Sequence, residues 1–259
     1  MLTAEGCRSR RQRLLDLLRV KEPLVLADPV HLRYFANLYV EPLSLGADFG
    51  GILVIRPDGY TTLYHDNRLP KTVELAHVDE QFPVLWYDGQ APARGSRALV
   101  LRQAVRAGFY PGRIHDSLHD DQAVGLHDIV SEMRRRKDPD EIALLKTCMR
   151  ATEAGHAWAR ANVRPGMTEL QVYAGVSAAC YEAVGRPVVV YGDFAVSPGP
   201  ARRGGPPTSR VVRPGETLIL DFSVVIAGYR SDFTNTLVVG AAPSAEQQKL
   251  FDLCVVAMA

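Results

Sequence analysis

Two aspartates stand in strand-like sequence in the second half of the chain, where carboxylates are normally excluded. Asp221 and Asp232 lie in the run LDFSVVIAGYRSDFTNTLVVG, which covers residues 220–240 and is rich in Leu, Ile, Val, Phe and Thr. Isolated charged groups are costly to bury, so a carboxylate in such a run needs a compensating partner. The question is which partner this segment is built to hold.

The spacing of the run predicts a β-hairpin. If Ala227-Gly228 is a two-residue turn, Asp221 pairs with Thr234 and Phe222 pairs with Phe233. Side chains alternate between the two faces of a strand, so Asp221, Ser223, Asp232 and Thr234 share one face. The two aspartates are then diagonal neighbours, with backbones about 7–8 Å apart, close enough for both carboxylates to reach one point.

Two neighbouring carboxylates on a rigid ribbon repel each other unless a positive charge lies between them. Leaving a buried charge unpaired costs several kcal/mol, roughly. A divalent cation removes this cost, and hard oxygen ligands suit Mn, Co, Zn or Mg. Arg230 shares the same face and offers an alternative, a plain salt bridge to one aspartate. Spacing alone leaves both alternatives open.

Composition excludes several classes of function. The 259 residues suffice for one large domain or two smaller ones, and the net charge is only +1. This balance argues against nucleic acid as a partner, and no segment has the apolar length of a membrane span. The four cysteines are scattered without a C-x-x-C pair, which favours free thiols in a cytoplasmic protein.

Helix and strand signals alternate along the chain and predict an α/β (α+β) protein. We expect a basic amphipathic helix at the N-terminus, a strand at 24–27 and a hairpin at 50–66. In the second half, helices are predicted from Pro139 to about residue 163 and from Thr168 to about 184. A strand at 188–191, a Gly/Pro-rich loop at 197–209, the hairpin at 217–239 and a helix capped by Ser244 follow.

The hairpin and its flanks resemble the pita-bread metallopeptidases, which include Xaa-Pro aminopeptidase, prolidase and creatinase. The resemblance rests on D-F-S-V-V-I-A-G-Y-R-S-D-F-T-N-T in the hairpin, with R-R-K-D-P-D-E-I (135–142), R-P-G-M-T-E (164–169) and R-P-G-E-T-L-I-L-D (213–221) before it. D-P-V-H-L-R-Y-F (28–35) is similar to the creatinase-type N-terminal domain. The resemblance implies a creatinase-like domain over 1–130 and a pita-bread catalytic domain over 131–259.

The resemblance also implies a site with two divalent metal ions, Mn, Co or Zn. Asp221 would hold one metal, Asp232 would bridge both, and Thr234 would donate a hydrogen bond beside them. The family's site further contains a histidine and two glutamates. No histidine follows His156 in this sequence, and only Glu246 and Asp252 follow the hairpin, at spacings that do not match. We therefore expect a catalytic domain that is incomplete at its C-terminal end, and no catalytic residue is assigned.

Three functions follow as hypotheses. The first is an Xaa-Pro metallopeptidase, of aminopeptidase P or prolidase type, that cleaves next to proline through a metal-bound hydroxide. Its partners would be proline-containing peptides and, as in many relatives, a second copy in a homodimer; the 259-residue chain alone is expected to be inactive. The second is a non-catalytic pita-bread module that binds peptides or proteins. The third, creatinase-like C–N hydrolysis, needs no metal and is disfavoured by the two aspartates.

Other motifs receive plainer interpretations. His115, His119 and His127, among several aspartates, could form a metal cluster, but Gly125 and the polar composition favour an exposed linker. The run Arg134–Lys137 is interpreted as a solvated approach to a helix, and His156 as an ordinary surface or core histidine. Glycines occupy the 202–208 loop where many prolidase-like relatives carry a substrate-contacting histidine, and Asn235 stands where arginine is common.

Overall fold

The computed structural model describes residues 1–40, 50–68, 73–89, 114–116, 123–195 and 205–258. The chain folds as the predicted α/β protein, in two compact units, residues 1–144 and 145–259. The division falls within one long helix, Pro139–Asn162. The domain boundary near residue 130 that the sequence suggested stays a prediction.

The N-terminal unit combines helices with a mixed sheet. Its elements are α1 (Ala4–Leu18), β1 (Leu24–Leu26), α2 (Pro29–Ala36), β2 (Ile52–Ile55), β3 (Thr61–Asp66), a 3-10 turn (Val73–Leu75), β4 (Glu80–Val84) and α3 (Ala123–Arg135). In the described residues the strands are ordered β1-β2-β3-β4, with only the β3–β4 pair parallel. The predicted hairpin at 50–66 is the antiparallel β2–β3 pair.

Buried charge distinguishes helix α1 from the surface helix that its basic composition suggests. The guanidinium of Arg10 is fully buried and binds Asp140 through two nitrogens, at 2.9 and 3.1 Å, and Asp138 at 3.2 Å. Its Nε also donates to the carbonyl of Tyr34 at 2.8 Å. Exposed Arg13 makes a second contact with Asp138, at 2.7 Å. Two of the arginines of α1 are therefore paired with aspartates of the same unit, and one of them, Arg10, is buried.

The exposed-linker interpretation of the histidine- and aspartate-rich segment is wrong for the part that the structure describes. Asp116 is buried, and its carboxylate accepts hydrogen bonds from the backbone amides of Ala27 and Asp28 and contacts Nδ1 of His31 at 2.9 Å. Gly125 lies inside helix α3. Asp116 ties its segment to the start of α2 because three N–H groups converge on one carboxylate. The exposed run Arg134–Lys137 is solvated, as predicted.

The C-terminal unit packs two helices on one face of an antiparallel sheet. The elements are α4 (Pro139–Asn162), α5 (Glu169–Val184), β5 (Val189–Asp193), β6 (Thr217–Ile226), β7 (Tyr229–Arg230), β8 (Phe233–Val238) and α6 (Ala245–Met258). β5 pairs with one edge of β6, and β7 and β8 pair with the other. Thr168 and Gln171 form the predicted capping box at the start of α5.

Glycines let α4 and α5 approach each other and the sheet. A side chain at Gly155 would come within 3.0 Å of Cys180 and of the Phe222 ring, and one at Gly175 would overlap Trp158. Leu218, Leu220, Phe222 and Val224 fill the interface from the sheet side and are buried. One face of β6 is thus sealed against helices, and the other carries the polar residues of the hairpin.

Helix α6 begins as the sequence predicted. Ser244 and Gln247 cap it reciprocally, since the amide of Gln247 donates to the Ser244 hydroxyl and the amide of Ser244 donates to the Gln247 side chain. None of its described residues is buried, and large apolar side chains such as Phe251 and Val256 are exposed. Among the helices that the structure describes, none has the length and apolar character needed to cross a membrane.

Candidate functional site

The hairpin adopts the predicted register. Ile226 stands opposite Tyr229, so Ala227 and Gly228 form a two-residue turn, and both have positive φ, 50° and 81°. Positive φ at both central residues is the type I′ geometry, whose twist matches that of the flanking strands. Asp221 pairs with Thr234, and Phe222 pairs with Phe233. By alternation, Asp221 and Asp232 belong to the face of the sheet away from α4 and α5.

The carboxylate of Asp221 has one hydrogen-bond donor fixed by this register. The hydroxyl of Thr234 donates to Oδ1 of Asp221 at 2.7 Å. Asp221 is half-buried and Asp232 is exposed. Within the part of the chain that the structure describes, neither aspartate has a cationic side chain within salt-bridge distance.

Arg230 does not form the salt bridge that was the alternative explanation of the aspartates. Its guanidinium donates to the hydroxyl of Tyr191 at 2.6 Å instead. That hydrogen bond raises the pKa of Arg230, with a smaller contribution from the charge of Asp232. Arg230 is therefore bound to Tyr191 of β5, and no cationic side chain of the described residues pairs with the two aspartates.

A third carboxylate on the same face escaped the sequence analysis. Asp193, the last residue of β5, is registered directly opposite Asp221. The residue before it, Gly192, has φ 147°, and a Cβ there would lie 2.1 Å from the carbonyl oxygen of Asp221. The two strands therefore approach closely beside Asp221. The signal was present as a Gly-Asp pair at the end of a β-branched run, but its meaning depends on how β5 pairs with β6.

The ladder between β6 and the returning strand is interrupted next to Asp232. Ser231 and Asp232 lie between β7 and β8 and belong to neither. The amide of Ser231 donates to the carbonyl of Val224 at 3.1 Å, but the amide of Val224 donates to the hydroxyl of Ser231 at 2.8 Å. That hydroxyl also contacts the hydroxyl of Thr152 in α4 at 2.6 Å. A side chain, not a backbone carbonyl, thus completes the pairing beside Asp232.

His156 supports the hairpin from the helix side and is a core histidine, as one of the sequence interpretations held. Its ring stacks on Phe222 at a centroid distance of 4.6 Å and meets Phe233 edge-on at 5.4 Å. Burial lowers the pKa of His156, against an opposing hydrogen bond with the backbone of Phe233. The neutral ring packs behind the two strands that carry the aspartates.

The residues present suit a divalent cation only in part. Asp221 and Asp232 supply hard oxygen donors that no cationic side chain among the described residues occupies, and such donors suit Mn²⁺, Mg²⁺ or Zn²⁺. In the described portion, however, no group of three or more His, Cys, Asp or Glu side chains converges closely enough to hold a metal ion. The pair fits as two ligands of a larger set.

The other histidines and the loop singled out in the sequence lie away from the hairpin sequence. His115 and His127 are described but serve the N-terminal unit: His115 Nδ1 accepts from the amide of Val25, and His127 contacts the carbonyl of Asp116. His119 and residues 202–204 of the 202–208 loop lie outside the described residues. At the end of that loop, buried Glu169 accepts hydrogen bonds from the amide and hydroxyl of Thr208.

Comparison with known proteins finds a matching family and several relatives. Residues 143–259 match the family described as Metallopeptidase family M24. An uncharacterized peptidase of Schizosaccharomyces pombe is 25% identical over 96% of this chain and 58% of its own length. The chain thus spans little more than half of that relative.

Solved structures share the fold across nearly the whole chain. The X-Pro aminopeptidase of Thermotoga maritima superposes with a TM-score of 0.67 at 18% identity, over 96% of this chain and 70% of the other. The Xaa-Pro dipeptidase of Bacillus anthracis gives a TM-score of 0.64 at 20% identity, over 96% and 69%. Residues 143–259 thus match the metallopeptidase family M24, and the chain as a whole shares the fold of these solved structures.

Proposed function

We propose that Asp221 and Asp232 are two ligands of a divalent-metal site in an Xaa-Pro type metallopeptidase, which cleaves peptide bonds next to proline. The observation that carries the proposal is the shared face of the two aspartates without a cationic partner in the described residues. Two carboxylates kept close together on a stiff hairpin repel each other, and a cation between them relieves that repulsion. The family match and the names of the relatives supply the reaction class.

The chain's own residues would hold and orient the ligands. Thr234 fixes one oxygen of Asp221, which leaves the other free to coordinate. The aromatic pair Phe222 and Phe233 packs with His156 on the opposite face, so the strands cannot rotate easily. When bound, divalent ions would lower the pKa of a coordinated water toward about 7 and polarise the substrate carbonyl.

The ligand set in these 259 residues is smaller than the family's set. No histidine follows the hairpin in the sequence, and the two later acidic residues, Glu246 and Asp252, lie in α6. A site of two aspartates binds a cation weakly and leaves the attacking water unassigned to any general base. We propose negligible peptidase turnover for this chain by itself, and metal-dependent cleavage of an Xaa-Pro dipeptide by the purified chain would contradict this.

Manganese binding tests the proposal without relying on catalysis. The chain is titrated with Mn²⁺ alone, and free Mn²⁺ is followed by electron paramagnetic resonance, for the wild type and for Asp221→Asn and Asp232→Asn. We expect each substitution to weaken binding at least tenfold. Asp252→Asn is the matched control, because it removes one charge from an exposed residue whose partner is Gln248 in α6. Equal binding in all four proteins would refute the site.

A non-catalytic peptide- or protein-binding module is the second candidate. It is favoured by the lack of a converging set of three metal-ligand side chains in the described ranges. The same titration separates the two candidates. A chain that binds no Mn²⁺ at the aspartates, but binds a proline-containing peptide, would support the module and exclude the metal site.

A further inference from the structure

The interruption beside Asp232 is not an insertion. The pairs Ile226–Tyr229 and Phe222–Phe233 follow one continuous register, so no extra residue enters on either strand. A β-bulge, in contrast, places two residues opposite one. Something other than residue count must therefore lift Ser231 and Asp232 out of the ladder.

The hydroxyl of Ser231 is what changes the pairing. In a regular antiparallel pair, Val224 and Ser231 would exchange two backbone hydrogen bonds. One is formed, from the amide of Ser231 to the carbonyl of Val224. The second donor, the amide of Val224, binds the Ser231 hydroxyl at 2.8 Å, so the carbonyl of Ser231 is released from the ladder.

Helix α4 determines how that hydroxyl points. The Thr152 hydroxyl donates to the carbonyl of Cys148 at 3.0 Å, one turn earlier in the helix. A threonine has a single hydroxyl proton, so in the 2.6 Å contact between the hydroxyls the proton comes from Ser231. Both residues are buried, and each hydroxyl in the series has a defined donor and acceptor.

We infer that Thr152 and Ser231 are positioning residues that aim the Asp232 carboxylate at the open face of the sheet, beside Asp221. The inference rests on the proposed metal site and specifies which residues prepare it. Ser231 points toward the helices, where its hydroxyl contacts Thr152, and Asp232, the next residue, is exposed. If the hydroxyl contact is lost, the peptide between them is free to turn back into a regular ladder, and Asp232 shifts with it.

The first test measures Mn²⁺ affinity in variants that keep or remove the hydroxyl contact. Thr152→Val removes the hydroxyl at nearly constant volume, Thr152→Ser retains it, and Ser231→Ala removes the other partner. We expect about tenfold weaker Mn²⁺ binding for Thr152→Val and Ser231→Ala, the size of effect usual for groups that orient metal ligands. Thr152→Ser should bind Mn²⁺ like the wild type.

Ser177→Ala is the matched control. Its hydroxyl is buried in α5 of the same unit and has no hydrogen-bond partner in the described residues. Removing it should leave Mn²⁺ affinity unchanged. Val172→Ala, a buried position in the same helix, controls for stability, since it loosens the core of the unit at a position outside the hairpin sequence. A loss of affinity in Val172→Ala as large as in Thr152→Val would reduce Thr152 to a structural role and overturn the inference.

The second test does not need the metal. Crystal structures of the wild type and of Thr152→Val, which conserves the volume of the side chain, give the position of the Asp232 carboxylate directly. Displacement of Asp232 with Asp221 in place supports the inference, and an unmoved Asp232 overturns it. If the wild type binds no Mn²⁺ and Asp232 still moves, the proposed function fails and the positioning role stands. If the wild type binds Mn²⁺ through the aspartates and Thr152→Val binds equally well, the positioning role fails alone.

Discussion

Two pairs of aspartates, one in each unit of this chain, have opposite surroundings. In the N-terminal unit, Asp138 and Asp140 are bound by arginine, and the guanidinium of Arg10 is fully enclosed. In the C-terminal unit, Asp221 and Asp232 have no ion pair with a described residue, and the nearby arginine, Arg230, is bound to Tyr191 instead. Within the described residues, the protein supplies a positive charge to the first pair of carboxylates and none to the second.

This difference separates a stabilising role from a binding role. A carboxylate paired with a buried arginine contributes to stability, because removing it leaves a buried charge uncompensated. A pair of carboxylates without a cation lowers the stability of the fold by mutual repulsion. The role of such a pair is therefore not to stabilise the protein. We therefore expect substitutions in the first set to destabilise the protein and substitutions in the second set to affect ligand binding alone.

The largest effect is expected at Asp140. Asp140→Ala removes the acceptor of two hydrogen bonds from buried Arg10 and should lower the free energy of unfolding by about 3 kcal/mol. Urea unfolding at pH 7 measures it. The control is Asp58→Ala, which breaks the exposed Arg56–Asp58 pair of the same unit and should change stability far less. Equal losses in both variants would remove the contrast between buried and exposed pairs.

A second effect is expected where β5 approaches Asp221. Gly192→Ala places a Cβ 2.1 Å from the carbonyl oxygen of Asp221, at a positive φ. Strain and overpacking together should cost about 2 kcal/mol of unfolding free energy and displace Asp221. Gly185→Ala is the control, since Gly185 also has positive φ but open space around it. If the two variants lose equal stability, close packing beside Asp221 is not the cause.

The N-terminal charge network should also respond to acid. Burial disfavours the charged form of Asp140, but the hydrogen bonds from Arg10 and from the backbone amide of Thr3, together with the charge of Arg10, outweigh burial and lower the pKa of Asp140 to about 2. The hydrogen bond from Arg13 lowers the pKa of Asp138 as well. A depressed pKa stabilises the fold above the ordinary value of 3.8, and this stability is lost as the pH falls through that value toward 2. The stability difference between wild type and Asp140→Asn, measured by urea unfolding from pH 6 downward, should shrink over that interval and remain constant above it.

The smallest effect is expected at the hairpin. Without divalent ions, Asp221→Asn and Asp232→Asn should each change the free energy of unfolding by less than about 0.5 kcal/mol, because no cation is left unpaired. Urea unfolding in the presence of a chelator measures this change. A loss comparable to that of Asp140→Ala would mean that these carboxylates have a structural partner. The difference proposed between the two pairs of aspartates would then be wrong.

The hairpin could be predicted from the sequence because neighbouring residues determine its turn and its strand pairing. A two-residue turn and the period of two fix which residues face Asp221, and both were readable from residues 220–240. Capping residues likewise placed the starts of α5 and α6. The sequence could not place Arg10, because its partners lie 128 and 130 residues away and a basic helix looks like a surface helix until its neighbours are known.

The support around the aspartates was hidden for a similar reason. Asp193 joins the site face only through the register of β5 against β6. Ser231 gives no local signal in the sequence, because its contact is with a threonine in α4. The carboxylates themselves could thus be predicted from spacing, while the groups that hold and align them required the packing of distant segments.

The most direct test of the aspartate site is the effect of Mn²⁺ on stability. A ligand that binds only the folded chain raises the free energy of unfolding in proportion to the logarithm of its concentration. We predict that millimolar Mn²⁺ raises the unfolding midpoint of the wild-type chain and leaves that of the Asp221→Asn, Asp232→Asn double variant unchanged. Equal stabilisation of both proteins, or of neither, would contradict the assignment of these two aspartates as a cation site.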